Sequence, residues 1–142
     1  MKSFEPTLTL ALLQAREATM SYFRTILNEI GLTEQQWRII SILYQYNELE
    51  SNQLADLACI LKPSLTGIIN RMCDQKLTEK RKDHRDQRIY LIKLTNEGKK
   101  CYETQVVKMN ESYQHIQQQY GEEKMQQLLV LLKDLCKLKV LN

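Results

Sequence analysis

The stretch Lys62-Pro63-Ser64-Leu65-Thr66-Gly67-Ile68-Ile69-Asn70-Arg71-Met72-Cys73-Asp74-Gln75, followed by Lys76 to Lys82 and then, past His84-Arg85-Asp86, by Gln87-Arg88-Ile89-Tyr90-Leu91-Ile92-Lys93-Leu94, decides the fold. Pro63 stands where a helix can begin, because the N–H it lacks is one that the first turn leaves unbonded anyway. Leu65, Ile68, Ile69 and Met72 recur at three- and four-residue steps, which predicts one apolar helix face running to about Gln75. From Leu77 to Lys82, and again from Gln87 to Leu94, the pattern turns strand-like, with Ile89, Leu91 and, less regularly, Ile92 among polar residues. His84-Arg85-Asp86 makes a polar turn between them, so a β-hairpin follows the helix directly.

Upstream, Ser51 can cap a short helix from Asn52 to about Cys59 whose Leu54, Leu57 and Ala58 face a core. A tight connection near Ile60 to Lys62 joins it to the next helix. Two short helices so joined predict a helix-turn-helix, and the hairpin behind them is its wing. The Thr33 and Gln36 pair forms a capping-box pattern for a helix continuing through Trp37, Ile40, Leu43 and Tyr44 to about Tyr46. Before it, Leu8, Leu12, Ala15, Thr19, Phe23, Ile26 and Ile30 mark one long amphipathic helix over Thr7 to Ile30, with Gly31 suited to its C-terminal cap. Downstream, Thr95 can cap a fifth helix to about Tyr120, Gly121 interrupts it, and a sixth runs from Glu122 to Leu138 with Met125, Leu128, Leu129, Leu132 and Leu135 on one side. The predicted fold is mainly α with a small β-hairpin wing. Residues 1–142 form a single domain in which 33–94 is the winged helix-turn-helix, with its recognition helix at about 62–75 and its wing at about 77–94. The helices at 7–30 and 95–141 carry more apolar stripe than this small core can absorb, so they are expected to form a homodimer.

With 142 residues, 43% of them hydrophobic, the chain suffices for one core. No apolar run approaches the roughly 18 to 20 residues a membrane span needs, and Met1-Lys2-Ser3-Phe4-Glu5-Pro6 does not read as a secretory leader. A cytoplasmic protein without membrane contact is expected. Cys59, Cys73, Cys101 and Cys136 show no C-x-x-C spacing, and His84 and His115 add no metal-site pattern, so four buried reduced thiols and no metal are expected. Cys73, near Arg71 and Lys76, is the one candidate for an acidified redox thiol. Four glycines leave no room for a glycine-rich phosphate loop, and no nucleophile and base motif occurs, so neither an enzyme nor a cofactor is expected.

Between Lys62 and Lys93 stand nine Lys or Arg against four acids, a surplus of +5; the whole chain is +3, so the rest sums to −2. A basic middle between neutral or acidic flanks is the footprint of a surface that meets phosphate. In a helix-turn-helix the start of the second helix enters the major groove of double-stranded DNA. Here that start offers Lys62, the hydroxyls of Ser64 and Thr66, and Pro63 or Leu65 for a thymine methyl, with Asn70 and Arg71 a turn further on and Asn52 on the preceding helix. The alternative is that Ser64 and Thr66 cap the helix and Leu65 belongs to the core. On the wing, Arg85 and Arg88 flank Asp86; an arginine at a hairpin tip can enter the minor groove, and Asp86 can orient it by a bidentate pair. A two-fold dimer would then read a palindromic operator.

Asp86-Gln87-Arg88, followed by Leu94-Thr95 and Gly98, resembles the D-x-R…L-T-x-x-G signature of the MarR family of transcriptional regulators, and the resemblance covers the whole chain. Leu10 to Glu17, Leu32 to Arg38, Ala58 to Leu61, Pro63 to Gly67 and Glu123 to Leu128 are similar to one branch of that family, the repressors of homoprotocatechuate (4-hydroxyphenylacetate) degradation operons. The resemblance implies a homodimer with two DNA-reading lobes, Arg88 as the minor-groove arginine and Asp86 as its partner. It also implies release from DNA by a small aromatic carboxylate bound between dimer and DNA lobes. Arg16, four residues after Leu12 and four before Met20, lies on an apolar stripe where it wants a carboxylate, from the effector or from an acid of the dimer. Trp37 could stack on an aromatic ring, and Arg38 has Glu34 at i−4 as an alternative partner. Lys76 stands where the family usually has glycine, so either the turn there departs from the family's or Lys76 accepts a left-handed conformation at some cost. Two other functions compete with the ligand-responsive repressor: a thiol-based oxidant sensor and a helical assembly protein.

Overall fold

The computed structural model describes residues 3–139. Met1 and Lys2, part of the expectation about the start of the chain, and the last residues of the 95–141 segment lie outside those described. Nine elements follow in order: α1 (Leu8–Ile30), α2 (Glu34–Tyr46), β1 (Glu48–Glu50), α3 (Ser51–Ala58), α4 (Lys62–Asp74), β2 (Thr78–Lys82), β3 (Tyr90–Leu94), α5 (Asn96–Tyr120) and α6 (Glu122–Leu135). They belong to two compact units, Arg24–Val107 and the pair of segments Met1–Phe23 and Lys108–Asn142.

The unit Arg24–Val107 is the winged helix. Its centre is Ile39, Ile40 and Leu43 of α2, Leu54 of α3, Met72 of α4 and Ile92 of β3, all fully buried. Burial of each such side chain stabilises the fold by about 1.5 to 3 kcal/mol. The apolar face read in the sequence of α4 is the buried face: Leu65, Ile68, Ile69 and Met72. The predicted capping box is present, with the Gln36 N–H donating to Thr33 Oγ1 and the Thr33 N–H donating to Gln36 Oε1.

Three helices end in Schellman turns, in which a left-handed residue lets two successive N–H groups reach back to the last carbonyls. Gly31, Cys59 and Lys76 hold that position, with φ of 71°, 55° and 63°. At the third, the Lys76 N–H donates to the Cys73 carbonyl at 3.0 Å and the Leu77 N–H to that of Met72 at 2.9 Å. Of the two outcomes open at Lys76, the turn is therefore kept and the lysine takes the left-handed conformation, which turns the chain from α4 into β2. The wing is clamped at its base by Thr95, whose N–H donates to the Leu77 carbonyl at 3.1 Å. Thr95 Oγ1 donates to the Lys76 carbonyl at 2.5 Å and accepts the Gly98 N–H at 3.0 Å. A Cβ on Gly98 would lie 2.2 Å from the Leu77 carbonyl oxygen. The L-T-x-x-G signature is thus a closure of strand, turn and helix.

Several expectations are corrected. The sheet has three strands in the order β1-β3-β2, not two, because Glu48–Glu50 pairs antiparallel with β3, Leu49 opposite Ile92. The second wing strand starts at Tyr90 rather than Gln87, since the Ile89 N–H turns back to the Asp86 carbonyl. Its buried residues are Ile92 and Leu94, so Leu91 takes the less buried face. Helix α3 begins at Ser51 with Glu50 as its N-cap, whose N–H donates to Gln53 Oε1, and Leu57 is exposed. Helix α6 ends at Leu135, three residues short of Leu138. Cys59 and Cys136 are exposed and Cys73 and Cys101 half-buried, all free, so the four thiols are not a buried set.

In the unit formed by Met1–Phe23 and Lys108–Asn142, the Tyr22 hydroxyl donates to Gln119 Oε1, and Met109, Ile116 and Met125 are buried. Leu8, Leu12, Leu13, Leu129, Val130 and Leu131 are exposed. Among the described residues no helix is long and apolar enough to cross a membrane.

Candidate nucleic-acid interface

Helix α4 divides its residues by phase. Its buried face holds it in the core, which leaves Lys62, Pro63, Ser64, Thr66, Gly67, Asn70 and Arg71 exposed. The N-cap is Leu61, whose side chain makes no capping bond, with Pro63 in the first turn. Ser64 and Thr66 are therefore in the helix rather than capping it. Leu65, offered in the sequence as a thymine-methyl contact, is 3% exposed and belongs to the core. Asn70 Oδ1 accepts from Lys80 Nζ at 2.5 Å, and Arg71 Nε donates to the Gly67 carbonyl at 3.4 Å. A cleft of about 150 Å³ separates α4 from the N-terminal end of α3 and the wing sheet; Asn52, Lys62, Thr66, Lys80 and Tyr90 line it.

At the wing tip the Asp86 carboxylate does two things. Its Oδ1 accepts the Arg88 backbone N–H at 3.0 Å, an Asx-turn that shapes the tip. The carboxylate also takes the Arg88 guanidinium in a fork, Nε to Oδ1 at 3.1 Å and Nη2 to Oδ2 at 3.2 Å. The fork, more than the backbone bond, holds the Asp86 carboxyl below the usual carboxylate range. The Arg88 side chain remains 91% exposed although its head is oriented. Arg85, also exposed, lies on the same tip. In the sequence Lys80 is only one of the nine cations between Lys62 and Lys93, and Tyr90 only a residue of the second wing strand. The two-residue period of β2, which sets Lys80 on the same side as the buried Thr78, is the signal that could have found Lys80.

The residues read as effector contacts fall in different units. Arg16, half exposed, pairs with Glu17 at 3.5 Å, and Met20 is half-buried. Trp37 is half-buried and stacks on Tyr102, ring centroids 5.5 Å apart, and Tyr102 stacks in turn on Tyr44 at 4.1 Å. The Tyr44 hydroxyl donates to Glu103 Oε1 at 3.0 Å, which, with lesser help from burial, raises its pKa. Arg38 Nη1 donates to the Ala58 carbonyl at 2.6 Å, while Glu34 accepts from Arg24 Nε at 2.9 Å. Among the described residues, Arg38 Nε and Gln105 Oε1 are buried and find no hydrogen-bond partner.

An exposed helix face beside a hairpin with an oriented arginine is the equipment of a DNA-binding winged helix. The MarR family matches residues 32–90. The homoprotocatechuate degradative operon repressor of Escherichia coli is 49% identical over 128 residues, covering 90% of this chain and 86% of that one. The crystal structure of transcriptional regulator PA4135 superimposes with a TM-score of 0.92 at 51% identity, covering 96% of this chain and 100% of the other. NadR in complex with 4-hydroxyphenylacetate gives a TM-score of 0.84 at 43% identity, covering 98% of this chain and 99% of NadR. The chain belongs to the MarR family, as a DNA-binding transcriptional regulator and not an enzyme.

Proposed function

We propose that this chain is a cytoplasmic homodimeric repressor that occupies a palindromic operator and is released by a small aromatic carboxylate of the hydroxyphenylacetate type. The observation that carries the DNA half is the exposed Arg88 guanidinium already forked onto Asp86, because an oriented cation on a hairpin tip loses little freedom on entering a minor groove. Lys62, Pro63, Ser64 and Thr66 would meet the major groove, with Asn52, Asn70, Arg71 and Arg85 as further contacts. The dimer surface would be built from the segments 7–30 and 95–141, and the exposed Leu12, Leu13, Val130 and Leu131 support that role. The kinship to an aromatic-catabolism repressor and to a protein solved with 4-hydroxyphenylacetate supports the effector half. Arg16 would take the carboxylate, with Met20 on the same helix as a further candidate; Trp37 and Arg38 are candidates within their own unit, where Tyr102 stacks on Trp37, so only its other face is offered to a ligand ring.

Release requires differential affinity: an effector that binds both conformations of the dimer equally shifts nothing. The test is a titration of 4-hydroxyphenylacetate into the dimer bound to a genomic duplex that the purified protein has selected. Progressive loss of DNA affinity is expected, and Arg16→Ala should blunt it while leaving effector-free DNA binding intact. An affinity that does not move with effector would sink the effector half alone.

A further inference from the structure

Asn70 and Lys80 connect the recognition helix to the wing. Lys80 Nζ donates to Asn70 Oδ1 at 2.5 Å, and the same ammonium lies 5.1 Å from the centroid of the Tyr90 ring. Lys80 stands opposite Ile92 on β3, two residues beyond Tyr90, so the ammonium is held between a ring on one strand and an amide on the helix. We propose that Lys80 is a positioning residue that makes Asn70 a donor-only reader of DNA, aiming its NH2 group at an acceptor atom. The inference rests on the placement of α4 against DNA proposed above.

The chemistry leaves one arrangement. An ammonium has three donors and no acceptor, whereas an asparagine amide has an acceptor oxygen at one end and a donor NH2 at the other. Only the oxygen can face Lys80, so the NH2 points away from it. An asparagine free at both ends pairs bidentately with adenine, its oxygen accepting from N6 and its NH2 donating to N7. With its oxygen engaged by a charged donor, Asn70 is biased against that mode. It is left to recognise acceptors: guanine O6, the N7 of either purine, thymine O4, or a phosphate oxygen. The Tyr90 ring holds the ammonium by cation–π attraction.

Affinities for a duplex selected by the wild-type dimer from a randomised library test this directly. Asn70→Ala and Lys80→Met should each weaken binding, and the double variant should be stronger than the product of the two effects predicts, by about fivefold. Lys80→Arg, which also only donates, should restore binding to within about twofold. Asn70→Asp, which offers acceptors alone, should bind more weakly than Asn70→Ala. Both positions are exposed, so melting temperatures should scarcely move. Repeating the selection separates the acceptors: if Lys80→Met and Asn70→Ala relax the same base position, the acceptor is a base, and an unchanged preference with the coupling intact assigns a phosphate. Independent effects, or Lys80→Arg behaving like Lys80→Met, would overturn the proposal. A wild-type protein that selects no sequence would instead bring down the DNA-reading surface on which it rests.

Discussion

Asp86 accepts both the backbone N–H and the guanidinium of Arg88, at 3.0 Å and at 3.1 and 3.2 Å, so one carboxylate shapes the wing tip and aims its cation. An ion pair this exposed adds little to stability. Its use is to present a charge in a fixed direction.

Arg88→Ala should therefore leave the melting temperature unchanged and lower operator affinity by about 10- to 100-fold, the worth of one specific arginine contact. Asp86→Asn keeps an oxygen for the backbone N–H but loses the charged fork, and should cost about fivefold. Fluorescence anisotropy at fixed salt checks both, since salt alone changes phosphate-dependent binding steeply.

The same pair has a pH signature. Arg88 favours the ionised form of Asp86 in the folded state, so the stabilisation is fully present above the ordinary aspartate pKa and is lost as the pH falls through the depressed value. An NMR titration should find the Asp86 midpoint below that of an aspartate in a model peptide, and Arg88→Ala should raise it toward the ordinary range, the retained backbone N–H keeping part of the depression.

Gly98→Ala should be destabilising although alanine is favoured in helices by about 1 kcal/mol. The added Cβ would lie 2.2 Å from the Leu77 carbonyl oxygen, a backbone atom that cannot swing aside. Overpacking of this kind costs about 3 kcal/mol, which exceeds the gain in propensity. Denaturant unfolding gives the sign.

Lys76→Gly should stabilise. A residue with a Cβ pays about 1 to 2 kcal/mol in the left-handed region, and glycine returns part of that through its freer unfolded chain, leaving a net gain of about 0.5 to 1 kcal/mol. Lys76→Val, branched at Cβ, should lose stability at the same φ of 63°. Thermal melts of the three proteins rank them.

Cys59 is exposed, while burial pushes the Cys101 thiol up. The thiolate is the reactive form, so iodoacetamide should label Cys59 well before Cys101. If all four cysteines are replaced by serine, operator release by the aromatic acid should persist; dependence of release on peroxide and on a cysteine would favour an oxidant sensor instead.

What could be read along the chain was local. The buried face of α4 follows from three- and four-residue spacing, because a helix turns by the same angle wherever it stands, and so do Ile40 and Leu43 of α2, where Tyr44 is nevertheless exposed and Gln36 and Ile39 are buried. The Thr33 and Gln36 capping box is complete within four residues. The tip motif Asp86 to Arg88 is equally short-range, which is why a sequence signature records it. What escaped needed partners far along the chain. Glu48–Glu50 is a strand only because β3, more than forty residues later, offers it a ladder, and no propensity of two glutamates announces that. Whether Leu91 or Ile92 faced the core depended on register, since a slip of one residue exchanges the two faces of a strand. Leu65 was open to either role until packing placed it in the core, and Asn70 became a directed donor only when the fold carried Lys80 beside it. Periodicity and caps belong to neighbours in sequence; burial, register and the aim of a polar side chain belong to neighbours in space.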